Sequence, residues 1–170
     1  MGGAASDVNV IGIVGWKNSG KTTLASAVIH ELSSRGLTVN AIKHAHHLVD
    51  IDQPGTDSYK HREAGAQEVI LAGGQRFAIM HELRGAREPT LDELLARLGP
   101  CDWVVVEGFK TNAHPKIEVH RQDSSHAPLY PQDPSIVAVA ADYAADFPGP
   151  VFDINDVTGI TDFILKREQP

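Results

Sequence analysis

Residues 15–22 read Gly-Trp-Lys-Asn-Ser-Gly-Lys-Thr, the pattern G-x-x-x-x-G-K-[ST], and their flanks make this the stretch that most constrains the fold. Before it, Val8 to Val14 is apolar and β-branched at nearly every position, as expected of a strand buried on both faces of a parallel sheet. After it, Leu24, Val28 and Leu32 recur every fourth residue beside Ala25 and Ala27, and Gly36 follows as a stop, which predicts a helix from near Lys21. Leu37, Val39 and Ala41 then alternate with Thr38 and Asn40 in a second strand ending at Lys43. Strand, glycine-rich loop, helix, strand is a βαβ unit with a phosphate-binding loop at its first turn.

The chemistry follows from the residue types. Gly15 and Gly20 let the backbone curl so that several N–H groups converge on one phosphate, and the helix start adds its positive dipole end. Lys21 places a full charge between β- and γ-phosphates, the Thr22 hydroxyl can ligate Mg2+, and Thr23 can donate to an α-phosphate. Lys17 and Asn18 are expected either to add contacts to the γ-phosphate or across a dimer, or to form a solvated loop tip.

The remaining pattern extends this unit into an α/β fold. His44 to Gly65 is polar and interrupted by Pro54-Gly55, and it reads as a long functional loop running into a short helix near Ser58 to Ala64. Val69 to Ala72 and Arg76 to His81, joined through Gly73-Gly74, predict an antiparallel hairpin whose strand edges a partner subunit could pair with. Thr90 and Glu93 form a capping box ahead of Leu91, Leu94, Leu95 and Leu98 on one helical face. Strands follow at Trp103 to Val106, Ile117 to His120, Ile136 to Ala140 and Val151 to Ile154, with loop over Gln122 to Pro134 and a last helix from near Asp156. The expected architecture is a P-loop three-layer sandwich: a mostly parallel sheet, helices on both faces and an antiparallel hairpin, in one domain spanning 1–170 with a flexible tail over 1–7.

A metal-holding acid is expected at the carboxyl end of a strand beside the loop. Glu107 ends the most apolar strand and is the first candidate for Mg2+; Asp50 and Asp52, past the second strand, are alternatives. His44, His46 and His47 cluster among nine histidines, and imidazole suits transition metals, but the spacing matches no established metal pattern, so phosphate or substrate contacts, or plain polar loop positions, are expected ahead of a metal site. His30, His61, His81, His114, His120 and His126 are expected at the surface or as caps.

Composition narrows the partners. Fifteen basic against twenty-two acidic residues give a net charge of −7, which argues against broad attraction to nucleic acid or anionic lipid while leaving room for a local basic pocket. No apolar stretch approaches the length of a membrane span, and no basic segment precedes an apolar run near the N-terminus, so neither a membrane span nor a secretory leader is expected. Cys101 is the single cysteine, which fits a reducing compartment and forbids an internal disulfide.

Taken together, the loop Gly15 to Thr23, Lys43-His44-Ala45-His46-His47, Asp50-Ile51-Asp52, Pro54 to Ser58, Arg62, Ala64-Gly65-Ala66 and Glu107-Gly108-Phe109-Lys110 resemble the molybdopterin-guanine dinucleotide biosynthesis protein B family, over about Val8 to His120. The resemblance implies a dimeric, cytoplasmic GTP-binding protein with weak hydrolysis. It implies a role assisting the guanylyltransferase that attaches GMP to molybdopterin, or handing the finished cofactor to accepting molybdoenzymes. On it, Gly15, Lys17, Asn18, Ser19, Gly20, Lys21, Thr22 and Thr23 hold phosphates, and Thr22 and Glu107, with Asp52, serve Mg2+. His44, His46, His47 and Asp50 face the γ-phosphate or a molybdopterin-type ligand. The usual guanine-reading Asn-Lys-x-Asp is absent; Ala138 to Asp142 stands at the comparable strand end, leaving Asp142 as the base contact. Two further readings remain: a nickel-type metal-insertion GTPase, suggested by the histidines, and an ATP-dependent small-molecule kinase, whose arginine-rich lid is not evident because Arg87, Arg97, Arg121 and Arg167 are scattered.

Overall fold

The computed structural model describes residues 8–45 and 50–167, so the expected tail over 1–7 lies outside the described residues. Two compact units emerge, one formed by residues 1–44 and 91–170, the other by 45–90.

The first unit is built on a six-stranded sheet in the order β2-β5-β1-β6-β7-β8. Its strands are β1 (Asn9–Val14), β2 (Val39–Lys43), β5 (Trp103–Glu107), β6 (Lys116–His120), β7 (Ile136–Ala141) and β8 (Val151–Asp153). Every neighbouring pair is parallel. Parallel strands need crossover connections, which is why the near-continuous apolar runs of β1 and β5 are covered on both sides. On one face, Ile11, Ile13, Val105, Ile117, Val119, Ala138 and Ala140 pack against Leu24, Val28 and Leu32 of α1 (Lys21–Ser34) and Ile160 and Ile164 of α4 (Val157–Lys166). On the other, Val10, Val104 and Val106 meet Leu91, Leu94 and Leu95 of α3 (Leu91–Leu95), with Phe109. The expected helical stretch to Leu98 ends earlier as helix and finishes in turns, Arg97 and Leu98 donating to the Leu94 and Leu95 carbonyls.

Under the loop that follows β6, polar residues of β6 stand between the apolar Val14, Ile136, Val139 and Ala141 of the neighbouring strands. Lys116, Glu118 and His120 alternate with the apolar residues of β6 and are all buried, at 0%, 0% and 6% exposure. Each binds a segment of loop laid across it. The Lys116 ammonium donates to the carbonyls of Lys110 and Asn112 and pairs with Asp133 at 2.7 Å. Glu118 accepts the backbone N–H groups of Leu129 and Tyr130 at 2.8 and 2.9 Å. His120 Nε2 lies 3.0 Å from the His126 carbonyl, which can only accept, so Nε2 carries the hydrogen, and Nδ1 shares a 2.8 Å hydrogen bond with the Tyr143 hydroxyl. The surface placement expected for His120 is therefore corrected: alternation identified the strand, but its polar face is roofed by residues 121–135. His114 departs in the same way, both ring nitrogens being buried without a hydrogen-bond partner among the described residues.

The second unit contains α2 (Asp57–Glu63) and the antiparallel pair β3 (Glu68–Ala72) and β4 (Phe77–His81), as expected from Gly73-Gly74. Thr56 caps α2, its hydroxyl accepting the Tyr59 N–H. Val69 pairs with Met80 and both are buried, whereas Ile70, Leu71, Phe77 and Ile79 are at least half exposed.

Candidate functional site

The loop after β1 places its residues by backbone geometry. Gly15 sits at φ 147, and a Cβ there would collide with the Val119 carbonyl oxygen and the Ser19 hydroxyl, so only glycine fits this turn. Lys17 and Asn18 form the exposed tip, Asn18 at φ 64. Ser19 is 7% exposed, and its Oγ has no hydrogen-bond partner among the described residues. Gly20 takes the N-cap position of α1 at φ 100 with no side-chain cap, so the first N–H groups of the helix stay open to an external acceptor.

Lys21, in the first turn, donates to the Trp16 carbonyl at 2.6 Å, folding its ammonium over the loop. Burial, the neighbouring Lys110 and Lys43 lower its pKa, with Glu107 opposing. A concentration of cations beside open backbone N–H groups is what a polyphosphate requires. Thr22 and Thr23 are exposed at the helix start, and the Thr22 hydroxyl donates to Glu107 Oε1 at 2.7 Å. Glu107 therefore lies where the strand-end acid was expected. The parallel register brings it there, β5 pairing with β1 at Ile13 and with β2 at Lys43. Lys43 Nζ stands 3.3 Å from both Thr22 Oγ1 and Glu107 Oε1. A hydroxyl and a carboxylate oxygen sharing one cation form a donor set that suits Mg2+, which prefers one or two protein oxygens plus phosphate and water. The uncapped helix start suits the phosphates themselves.

After Glu107 the chain turns sharply at Gly108, at φ 97, where a Cβ would come within 2.9 Å of His44 Cβ. His44 donates its backbone N–H to the Glu107 carbonyl and stacks on Phe109 with centroids 4.5 Å apart, so it backs the acid-bearing turn. His46 and His47 lie outside the described residues. Asp50 and Asp52 belong to the second unit, where both engage Arg62. Asp52 is 5% exposed at its side chain; burial opposes its ionisation, but hydrogen bonds from Ser58, Thr56 and Arg62 hold its pKa below the ordinary carboxylate value. The Arg62 hydrogen bond likewise lowers Asp50, with the Asp52 N–H adding. Asp142, at the end of β7, accepts the Gln122 N–H at 2.8 Å and a contact from Arg121 at 3.4 Å.

Four further side chains, to which no sequence pattern gives a role, gather at this loop. Trp16 stacks on His126 at 4.5 Å, and its Nε1 donates to the Ala127 carbonyl at 2.8 Å. Lys110 Nζ lies 4.4 Å from the Trp16 ring centroid. Arg121, one of the scattered arginines, donates its Nε to the Ser19 carbonyl at 3.2 Å. Lys43 is the fourth, and the signal for it was its place at the end of β2.

A buried parallel strand, a glycine-rich loop closed by Lys21-Thr22 and an acid at the neighbouring strand end define a P-loop NTPase fold. The sequence model for "Molybdopterin guanine dinucleotide synthesis protein B" matches residues 10–142, and the chain belongs to that family. The molybdopterin-guanine dinucleotide biosynthesis adapter protein of Escherichia coli is 38% identical over 165 residues, covering 95% of this chain and 94% of the relative. That of Haemophilus influenzae is 40% identical over 161 residues, covering 94% and 89%. A crystal structure of molybdopterin-guanine biosynthesis protein B superposes with TM-score 0.70 at 27% identity, over 92% of this chain and 98% of that one. Bacillus subtilis MobB superposes at TM-score 0.74 over 93% and 96%, at 23% identity, and speaks to the fold alone.

Proposed function

We propose that this protein is a GTP-binding adapter of molybdenum cofactor biosynthesis that uses Mg2+ and assists formation or delivery of molybdopterin guanine dinucleotide. Membership of the family supports the pathway, and the convergence of Lys21, Thr22 and Glu107 at the uncapped start of α1 carries the nucleotide reading. Backbone N–H groups of Gly15 to Thr23 hold the phosphates, and Lys21 leaves the Trp16 carbonyl for the β- and γ-oxygens. Thr22 and Glu107 hold Mg2+, which neutralises charge between the phosphates when bound. Hydrolysis is slow and secondary to binding. Guanine preference rests on the family, since the Asp142 carboxylate is already engaged by Gln122 and Arg121.

The partners on this reading are the molybdopterin guanylyltransferase and cofactor-accepting molybdoenzymes, with a molybdopterin-type ligand. Among the described residues no helix is long and apolar enough to cross a membrane, and a cytoplasmic location is part of the proposal. So is a homodimer: the hairpin presents Ile70, Leu71, Phe77 and Ile79, an exposed apolar set on a two-stranded sheet, which a second copy would cover. Titration with fluorescent GTP and ATP analogues, with and without Mg2+, tests the core of the reading. Preferential GTP binding that falls about tenfold or more in Lys21→Ala supports it; preference for ATP moves the kinase reading forward, and binding of neither refutes a nucleotide role.

A further inference from the structure

The triangle of Lys43, Thr22 and Glu107 places an ammonium where a metal ion would stand. Lys43 Nζ donates to Thr22 Oγ1 and pairs with Glu107 Oε1, both at 3.3 Å, while Thr22 itself donates to Glu107 at 2.7 Å. The register that pairs Lys43 with Glu107 sets this arrangement, so it does not depend on a loop. Glu107 is 13% exposed at its side chain, which keeps its charge close to its partner, whereas Lys43 is 59% exposed on a four-carbon stem that can swing away.

We propose that Lys43 is a built-in counter-cation of the magnesium position, its ammonium bridging Thr22 and Glu107 when the metal is absent and leaving when Mg2+ enters. This rests on the nucleotide-binding reading above and deepens it. Two consequences have opposite sign. Without Mg2+, Lys43 joins Lys21 in neutralising the triphosphate, so the loop holds nucleotide in metal-free solution. With Mg2+, the ammonium is a competitor, because one carboxylate oxygen and one hydroxyl serve either cation. A lysine that merely touched phosphate would assist binding equally in both conditions.

The test compares wild type, Lys43→Met and Lys43→Arg in titrations of a fluorescent GTP analogue in EDTA and at increasing Mg2+. In EDTA, Lys43→Met weakens binding by about tenfold or more; at saturating Mg2+ its affinity stays within about threefold of wild type. It also reaches half-maximal metal effect at an Mg2+ concentration about threefold or more lower, because the competitor is gone. Lys43→Arg, which keeps the charge, follows wild type in EDTA. Equal weakening of Lys43→Met in both conditions overturns the proposal, as does unchanged binding in EDTA. Circular dichroism checks the fold of each variant, and Lys43→Gln replaces Lys43→Met if that protein does not fold. If wild type binds no GTP even with Mg2+, the GTP reading fails. The same variants are then titrated with inorganic triphosphate: loss of EDTA binding in the neutral variant supports the role of Lys43, and absence of triphosphate binding by wild type overturns it.

Discussion

Replacing Lys116 with methionine removes a buried ammonium while keeping most of its stem. Its side chain is 1% exposed and serves Asp133 together with the carbonyls of Lys110 and Asn112. Breaking a buried ion pair by deleting one partner costs about 3–5 kcal/mol. Asp133 is 25% exposed and recovers some hydration, so the lower end, about 3 kcal/mol, applies. For a chain of this size that corresponds to a fall in Tm of roughly 6–12 °C, read by circular dichroism melting. The double substitution with Asp133→Asn should cost clearly less than the sum of the singles, because neither charge is then left alone. The pH dependence has a defined sign. Burial disfavours ionised Asp133, but hydrogen bonds from Lys116 and Ser135 prevail and its pKa is lowered. A lowered carboxyl stabilises the fold above the unfolded value of about 3.9, and that contribution is lost as pH falls further. The advantage of wild type over Lys116→Met therefore narrows below about pH 4. A loss smaller than about 1 kcal/mol at neutral pH, or additive singles, would refute the account of Lys116 as the tie between the two loops.

Two further outcomes follow from burial. His114 is held to a pKa of about 4, chiefly by burial, with Lys116 adding and Asp133 opposing. The neutral ring is the folded form, so stability present above the unfolded value of about 6.5 is lost as pH falls from there through the folded value. Tm should drop across that window and His114→Leu should flatten the profile; a wild-type Tm independent of pH over that range would contradict it. Leu32, fully buried between α1 and the sheet, should lose about 3 kcal/mol on change to alanine, seen in urea unfolding as a lower midpoint at constant m. A loss under about 1 kcal/mol would mean that face of α1 is not packed as described.

The parts of this protein that its sequence determined are those governed by neighbours along the chain. Gly15, Gly20 and the apolar period of Leu24, Val28 and Leu32 define strand, loop and helix because backbone curvature and one-sided burial are local demands. Gly73-Gly74 between two apolar runs defines the hairpin for the same reason. Glu107 was legible as an acid at the end of an apolar strand. What only the tertiary structure decided is which strand ends lie side by side and which polar faces are covered. The order β2-β5-β1 sets Lys43 against Glu107 and brings both to Thr22, residues separated by tens of positions that no periodicity relates. Likewise Glu118 and His120 alternate with apolar neighbours just as a solvent-facing set would; only the laying of residues 121–135 over β6 turns them into buried anchors. Alternation records that two faces differ, whereas the covering of the polar face depends on hydrogen bonds to a distant segment of chain.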